Sequence, residues 1–336
     1  MKNNLSVLLY SFILLFSIIS IYINFLNHRS SIVQTLMTND LNNSTRSESV
    51  LGYFPNLNSD LPNLTFTTIP IKAMISRYYR FQQDYTTALK YLDESMNDNP
   101  FIKFNESEKA EIYDILKVTD SFKFYAKEAF FGLPKNQRHF LQYSKALRID
   151  YDSIGLDNAF DIVRNEKDPI FRMVYISANI TMDRRSPKTK KIALESRKMF
   201  ANDKETVLVA DYLIHGKKNV DSAIGIAKQG EQYFKSGIYD LASKNYILSA
   251  KLNPGDYTHF ENAGLSLLRQ NRMDESKYYF QYVIDSLNPR NGKSEYLLAG
   301  IYEMQGEIKK ACKLLEESSS YNFEPAFRDR SKLCLQ

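Results

Sequence analysis

The chain has two cysteines and four histidines in 336 residues. Two cysteines, Cys312 and Cys334, exclude a disulfide framework, and with no other ligands beside them they make no metal site. They could pair with each other if the last helix folds back; two buried or idle thiols is the plainer reading. His28, His139, His215 and His259 fall in different elements, whereas a metal site needs several ligands brought together. Glycine and proline are scarce at 12 and 10 residues, and the makeup is that of a globular chain. A phosphate-cradling glycine loop, paired histidines on one helix, a nucleophile elbow and paired-cysteine spacing are all missing. The sequence therefore supports no catalytic, cofactor-binding or metal-binding residues, and the chain is expected not to be an enzyme. The formal net charge of +5 is mild for this length. A nucleic-acid binder would show a clustered basic face, so no nucleic-acid partner is expected.

What the sequence does have begins at its N-terminus. Asn3 to Asn27 carries no formal charge, and Leu5–Leu26 is nearly all Leu, Ile, Phe, Val, Ser and Tyr. That length suffices for a bilayer, which needs about 20 apolar residues. A cleaved signal would have a shorter apolar region followed by small residues; here Ile21, Tyr22, Ile23 and Asn24 stand instead. Residues 1–27 are therefore read as an uncleaved transmembrane anchor. Lys2 flanks it on one side, His28 and Arg29 on the other, and the charge rule leans slightly toward an inside N-terminus with the body exported to the periplasm. Residues 28–68 read as a polar tether whose apolar groups, around Leu51–Pro55 and Leu64–Phe66, partly dock on the first repeating unit of the body. Its glycosylation sequons, as at Asn43 and Asn63, matter only in a glycosylating secretory pathway.

From Ile69 onward one pattern returns about every 34 residues. At the C-terminal end it reads Gly230, Tyr233, Tyr239, Ala242, Tyr246 and Pro254. The same offsets give Gly264, Leu267, Met273, Ser276, Phe280 and, one residue late, Pro289; then Ala299, Tyr302, Ile308, Ala311, Leu315 and, late again, Pro325. Residues 69–134 hold two more copies, with Tyr79, Tyr85, Ala88, Leu92, Ser95 and Pro100, then Ala110, Tyr113, Phe122, Ala126, Ala129 and Pro134. Apolar residues within a copy fall at helical spacing, Gly or Asp separates two runs, and Pro ends the second. Each copy is thus a helix, a tight turn and a helix. The small residues mark where the two helices approach most closely. One pair cannot bury both its faces, so the pairs must stack.

These copies resemble tetratricopeptide repeats. The resemblance implies an all-α, antiparallel helix-pair solenoid behind the N-terminal transmembrane helix. The Trp common early in that family's first helix is absent here, and the last two copies carry insertions before Pro. Residues 223–336 are assigned to C-terminal repeats with a capping helix. Over 135–222 the register decays into degenerate helical repeats: His139 to Leu147, Leu156 to Val163, Phe171 to Ile180, Lys190 to Phe200 and Thr206 to Ile214 still read as amphipathic helices. A rival division breaks the chain near residues 182–190.

The resemblance also implies a groove on the first helices, where such folds hold extended peptides or partner helices. Carried onto this sequence, groove positions include Arg77, Arg80, Glu231, Phe234, Lys235, Leu268 and Arg269. The run from Glu106 to Glu111, acids alternating with Lys109, reads as an ordinary solvated helix face. Arg184, Arg185, Lys188, Lys190, Lys191, Arg197 and Lys198 form a basic cluster, read as an exposed loop and helix face. The expected function is a membrane-anchored scaffold or adaptor that binds a protein or peptide. The alternative is a detached or accessory part of a glycan-assembly system. It rests on the likeness of the stretch from Asn99 to Phe140 to repeat domains of bacterial O-antigen ligase or polymerase proteins.

Overall fold

The computed structural model describes residues 2–43, 48–57, 59–201 and 203–334. Among these there are eighteen α-helices and no strand beyond an isolated bridge between Leu64 and Pro70. The chain divides into two units, Met1–Glu166 and Lys167–Gln336. The first contains α1 (Lys2–Asn42), the short α2 (Glu48–Leu51) and three antiparallel pairs. These are α3 (Ile71–Phe81) with α4 (Tyr85–Glu94), α5 (Phe104–Ile115) with α6 (Thr119–Gly132), and α7 (Gln137–Ile149) with α8 (Ser153–Val163). The second unit contains α9 (Pro169–Thr181) with α10 (Pro187–Met199), the single helix α11 (Lys204–His215), and α12 (Lys217–Lys235) with α13 (Tyr239–Leu252). It continues through α14 (Tyr257–Arg269) with α15 (Met273–Tyr282), α16 (Lys293–Met304) with α17 (Ile308–Ser320), and α18 (Glu324–Leu333).

All seven pairs turn in the same way. The first helix ends, one cap residue follows, and the next residue is left-handed: Gln83, Lys117, Tyr151, Asp183, Gly237, Asn271 and Gly306. The amide after it then reaches back to a carbonyl five residues earlier. Examples are Asp84 to Tyr79 and Asp152 to Leu147, both at 2.9 Å, Arg184 to Asn179 at 2.8 Å and Glu307 to Tyr302 at 2.8 Å. This is the Schellman closure, which satisfies carbonyls that the helix end would leave unpaired. Glycine occupies only two of the seven left-handed positions. The turn therefore shows α7/α8 and α9/α10 to be pairs of the same kind, although their sequence signature has faded.

Packing inside the pairs explains the repeating residue types. Ala88, Ala126, Ala242 and Ala311 are fully buried. A Cβ on Gly264 would lie 2.8 Å from the Phe280 ring, and one on Gly230 would lie 3.3 Å from the Tyr246 ring. Tyr79 stacks on Tyr91 with centroids 5.5 Å apart, and one repeat later Tyr113 stacks on Tyr125 at 5.6 Å. The late Pro289 also has a cause. Val283–Leu287 is a π-helical turn that absorbs the extra residue at the end of α15.

Two expectations are corrected. α1 does not stop near residue 27 but runs on to Asn42. One face of this extension, with Val33 and Met37, packs with Val50 and Phe54 against Ile71, Met74, Ile75 and Tyr78. Tyr78 adds a hydrogen bond from its hydroxyl to Asp40 at 3.2 Å. The first part of the expected tether is thus helix and core. The cysteines are not idle either: α18 folds back on α17, and Cys312 is bonded to Cys334 with Cα atoms 5.6 Å apart. Closing a loop of that size removes unfolded-chain entropy worth about 3 kcal/mol.

Candidate functional site

The first helices carry the residues expected to line a groove, and the two units treat them differently. In the first unit, Arg77 and Arg80 on α3 face Glu108 and Glu111 on α5, which in turn face Arg138 on α7. Glu108 is completely buried, with the Nε atoms of Arg77 and Arg80 at 3.5 and 3.4 Å and a terminal nitrogen of Arg138 at 2.6 Å. Glu111 takes Arg80 at 2.5 Å and a second nitrogen of Arg138. Burial by itself would raise the Glu108 pKa, but Arg138, Arg77 and Arg80 outweigh it and the net direction is downward. The run expected to be a solvated face is therefore largely interior: Glu106, Glu108 and Lys109 are buried. Glu108 and Glu111 are matched across space by arginines about 30 residues away, Lys109 by Asp93 and Glu106 by Lys103, pairings that mostly lie outside the run itself.

In the second unit the space between the first helices α12 and α14 is open. An open cleft of about 310 Å³ lies between α12 and α14, walled by Ile224, Ala227, Lys228 and Glu231 on one side and Thr258, His259 and Asn262 on the other. Tyr246 of α13 and the helix-capping Asp256 complete its lining. A smaller hollow of about 130 Å³ follows along α16, with Leu268 of α14 beside Tyr296, Leu297, Gly300, Glu303 and Met304. Between the two, the carboxylate of Glu261 is buried, held by Lys293 at 2.9 Å and by the Ser294 hydroxyl at 3.0 Å. Among the expected positions, Glu231 lines the cleft and also pairs with Lys235 at 2.5 Å, one helical turn on. Leu268 lines the second hollow, Phe234 is edge-on to Tyr239 at 5.3 Å, and Arg269 is exposed at the end of α14.

Sequence reasoning did not single out His259 or Asp256 as parts of a site. His259 is 4% exposed and its Nε2 stands 3.5 Å from the Asp256 carboxylate. Burial pushes its pKa down, with Asp256 and Asp211 opposing. The available signal was its place early in a first helix, shortly after the turn Pro254–Gly255.

The basic cluster is partly drawn into the fold. Arg197 pairs with the buried Asp211 at 2.9 Å, and Asp211 also accepts from Asn253 at 3.0 Å. Burial raises the Asp211 pKa, with Arg197 and Asn253 opposing. Arg184 reaches the Asn179 side chain at 3.3 Å. Among the described residues no group of three or more His, Cys, Asp and Glu could hold a metal ion. What the clefts offer is an alternation of aliphatic surface, aromatic edges and single charges, suited to a peptide's backbone and side chains.

The architecture is a tetratricopeptide-like solenoid of antiparallel helix pairs. No family model and no curated protein matches the chain. Among solved structures it is similar to the TPR domain of P58(IPK), with 12% identity, 92% of this chain and 97% of that one covered, and a TM-score of 0.40. It is also similar to a tetratricopeptide repeat protein from Parabacteroides merdae, with 12% identity, coverages of 79% and 98%, and a TM-score of 0.35. A third is the TPR2AB domain of yeast Sti1 in its complex with pHSP90, with 14% identity, coverages of 70% and 98%, and a TM-score of 0.32.

Proposed function

We propose that this chain is a non-enzymatic, membrane-anchored scaffold whose cleft between α12 and α14 receives an extended segment or helix of a partner protein. The observation that carries the reading is that cleft, open between two first helices and lined by Ile224, Lys228, Glu231 and Asn262. Phe234, Lys235, Leu268 and Arg269 extend its walls on this reading. Arg77 and Arg80 act in the first unit as partners of Glu108, shaping that unit's face rather than offering free charge.

α1 is long and apolar enough to cross a bilayer, with a mean hydropathy of 2.1 and none of its most apolar window buried. On this reading it crosses through Leu5–Leu26 and is retained, because its continuation supplies Val33 and Met37 to the core. A helix built into the core is a poor candidate for removal as a leader. The body lies on the exported side, a placement supported by the Cys312–Cys334 bond, since disulfides persist in oxidising compartments. Residues 1–27 then act as the anchor, 28–68 join it to the repeats, and 223–336 present the binding surface. Nothing among the described residues favours the glycan-assembly alternative.

The test is site-specific photo-crosslinking in intact cells. A photoreactive residue at Lys228 or Asn262 should capture a discrete partner, and the same residue at Lys244, exposed on α13, should not. Equal capture at all three positions, or capture only from Lys244, would remove the cleft from the function.

A further inference from the structure

The segment that joins α2 to α3 lies outside the repeats and outside the groove. Between Asp60 and Lys72, which pair with each other at 2.8 Å, the chain carries no charge for eleven residues, Leu61 to Ile71. Its outer part is a tight, ordered loop. Thr65 and Ile69 are joined by an amide-to-carbonyl bond of 2.8 Å, the Thr68 amide returns to the Thr65 carbonyl at 2.9 Å, and the Ile69 amide also meets the Thr65 hydroxyl at 3.1 Å. At the tip sits Phe66, 70% exposed. Among the described residues little covers this phenylalanine, which is held out on a hydrogen-bonded, uncharged loop.

The loop's position says what does. The Phe66 amide donates to the Gln34 side chain at 3.2 Å, and Gln34 donates to Ser30 at 3.1 Å. Ser30 is already buried, at 1% exposure, whereas the large apolar side chains between Leu9 and Phe25 are exposed among the described residues. The body thus begins within about one helical turn of Leu26, roughly 6 Å along the axis, and Gln34 lies about 12 Å from it. The polar layer on each side of a bilayer is about 5–7 Å thick. A side chain of phenylalanine's length on the loop beside Gln34 is therefore within reach of that layer. Arg29, whose guanidinium stands 5.9 Å from the Phe25 ring centroid, marks the same level with a cation.

We propose that the Leu61–Pro70 loop is a second membrane contact, with Phe66 seated in the polar boundary layer of the bilayer that α1 crosses. Apolar and aromatic side chains at that boundary are a recurring anchor. The absence of charge makes a zwitterionic lipid surface, rather than an acidic one, the matching partner. With α1 as one point of attachment and Phe66 as another, the first unit could not swivel freely about the helix axis. The inference rests on α1 being a membrane span, and its test separates the two.

The chain contains no tryptophan, so each single replacement by Trp is a lone reporter. The full chain would be reconstituted in phosphatidylcholine vesicles with and without lipid brominated near the top of the acyl chain, as Phe66→Trp, Phe16→Trp, Phe25→Trp and Tyr151→Trp. Tyr151 is 74% exposed on the α7–α8 turn and serves as the solvent reference. The expected result is that Phe66→Trp emits to the blue of Tyr151→Trp and is quenched by brominated lipid, less than Phe25→Trp but clearly more than Tyr151→Trp. If Phe16→Trp and Phe25→Trp respond to the bilayer while Phe66→Trp behaves like Tyr151→Trp, the second contact is overturned and the anchor stands. A blue-shifted but unquenched Phe66→Trp means burial against protein, and also overturns it. If Phe16→Trp gives neither a blue shift nor quenching, the span and the contact fall together.

Discussion

Between α3, α5 and α7 the first-helix faces are locked together by Arg77, Arg80 and Arg138 around the buried Glu108, whereas between α12 and α14 the equivalent space is an open cleft. The helix pair and its turn are the same in both places. What differs is how neighbouring first helices meet. A buried cluster of charges is costly to desolvate and gives little net stability, yet it becomes expensive to disturb once formed. It fixes which helix sits beside which and places paired charge between them. Small residues and aromatics hold α12 to α13 and α14 to α15 from within each pair, as they hold α3 to α4 and α5 to α6. The contrast lies between pairs, where the space between α12 and α14 is left as a cleft. One architecture can thus use its groove for self-association or keep it for a partner.

The largest way to break this contrast is Glu108→Ala. Removing one partner of a buried ion cluster leaves uncompensated guanidinium groups and is expected to destabilise by about 3–5 kcal/mol. Hydrogen exchange resolved along the chain should show the loss over α3 to α7, with α12 to α17 unchanged. Glu108→Gln sharpens the same point through pH. A carboxylate with a depressed folded pKa contributes stability that is fully present above its unfolded value and lost as pH falls through the folded one. The wild-type first unit should therefore shed stability in acid, below the ordinary glutamate range. In Glu108→Gln that part of the acid limb should be missing. An acid limb identical in both proteins would mean the arginines do not hold Glu108 ionised.

The matching change in the second unit is smaller. Gly264→Val puts side-chain atoms into the Phe280 ring, which is fully buried and cannot swing aside. Overpacking of this kind costs roughly 1–3 kcal/mol. Gly225→Ala is the control, because no atom lies within 4 Å of its added Cβ. It should gain up to about 1 kcal/mol from helix propensity. Chemical denaturation with both variants, monitored by circular dichroism, should move the midpoint in opposite directions. Two variants of the same sign would show that the close approach at Gly264 is not what sets the spacing of α14 and α15.

The parts of this contrast that were legible in the sequence are those written locally. Gly230, Gly264, Ala242 and their aromatic neighbours recur in phase because each sits at one fixed place inside a pair. The run Leu5–Leu26 is legible for a similar reason, since length and apolarity are properties of a single stretch. Glu108 was not legible. Its environment is assembled from α3 and α7, and an acid next to Lys109 has the same local appearance whether it faces water or Arg138. The extension of α1 into the core was hidden as well, because Val33 and Met37 are single apolar residues among polar ones and only their partners Ile71 and Tyr78 give them meaning. The cysteine pair depended on α18 folding back, a tertiary fact. Of the groove positions, Glu231 and Leu268 line clefts and Arg77 and Arg80 meet carboxylates. The register could say which face a residue shares, not what stands opposite.

The turn is where sequence and structure diverge most instructively, and its backbone carries the smallest expected effect. Tyr151 and Gly237 occupy the same left-handed position in their pairs, at φ 52° and 74°. Tyr151 is 74% exposed, and a Cβ on Gly237 would meet no atom within 4 Å. Neither substitution disturbs packing, so exchanging the residue types isolates the backbone. The left-handed conformation costs a side-chain-bearing residue roughly 1–2 kcal/mol, while glycine's looser unfolded chain returns about 0.4–1 kcal/mol of that advantage. Tyr151→Gly should therefore stabilise the first unit by about 0.5–1 kcal/mol, and Gly237→Ala should destabilise the second by a similar amount. Denaturant midpoints should shift in opposite directions with unchanged slopes. If Tyr151→Gly instead loses stability, the tyrosine makes a contribution beyond the turn, and the α7–α8 pair is more specialised than its shared geometry indicates.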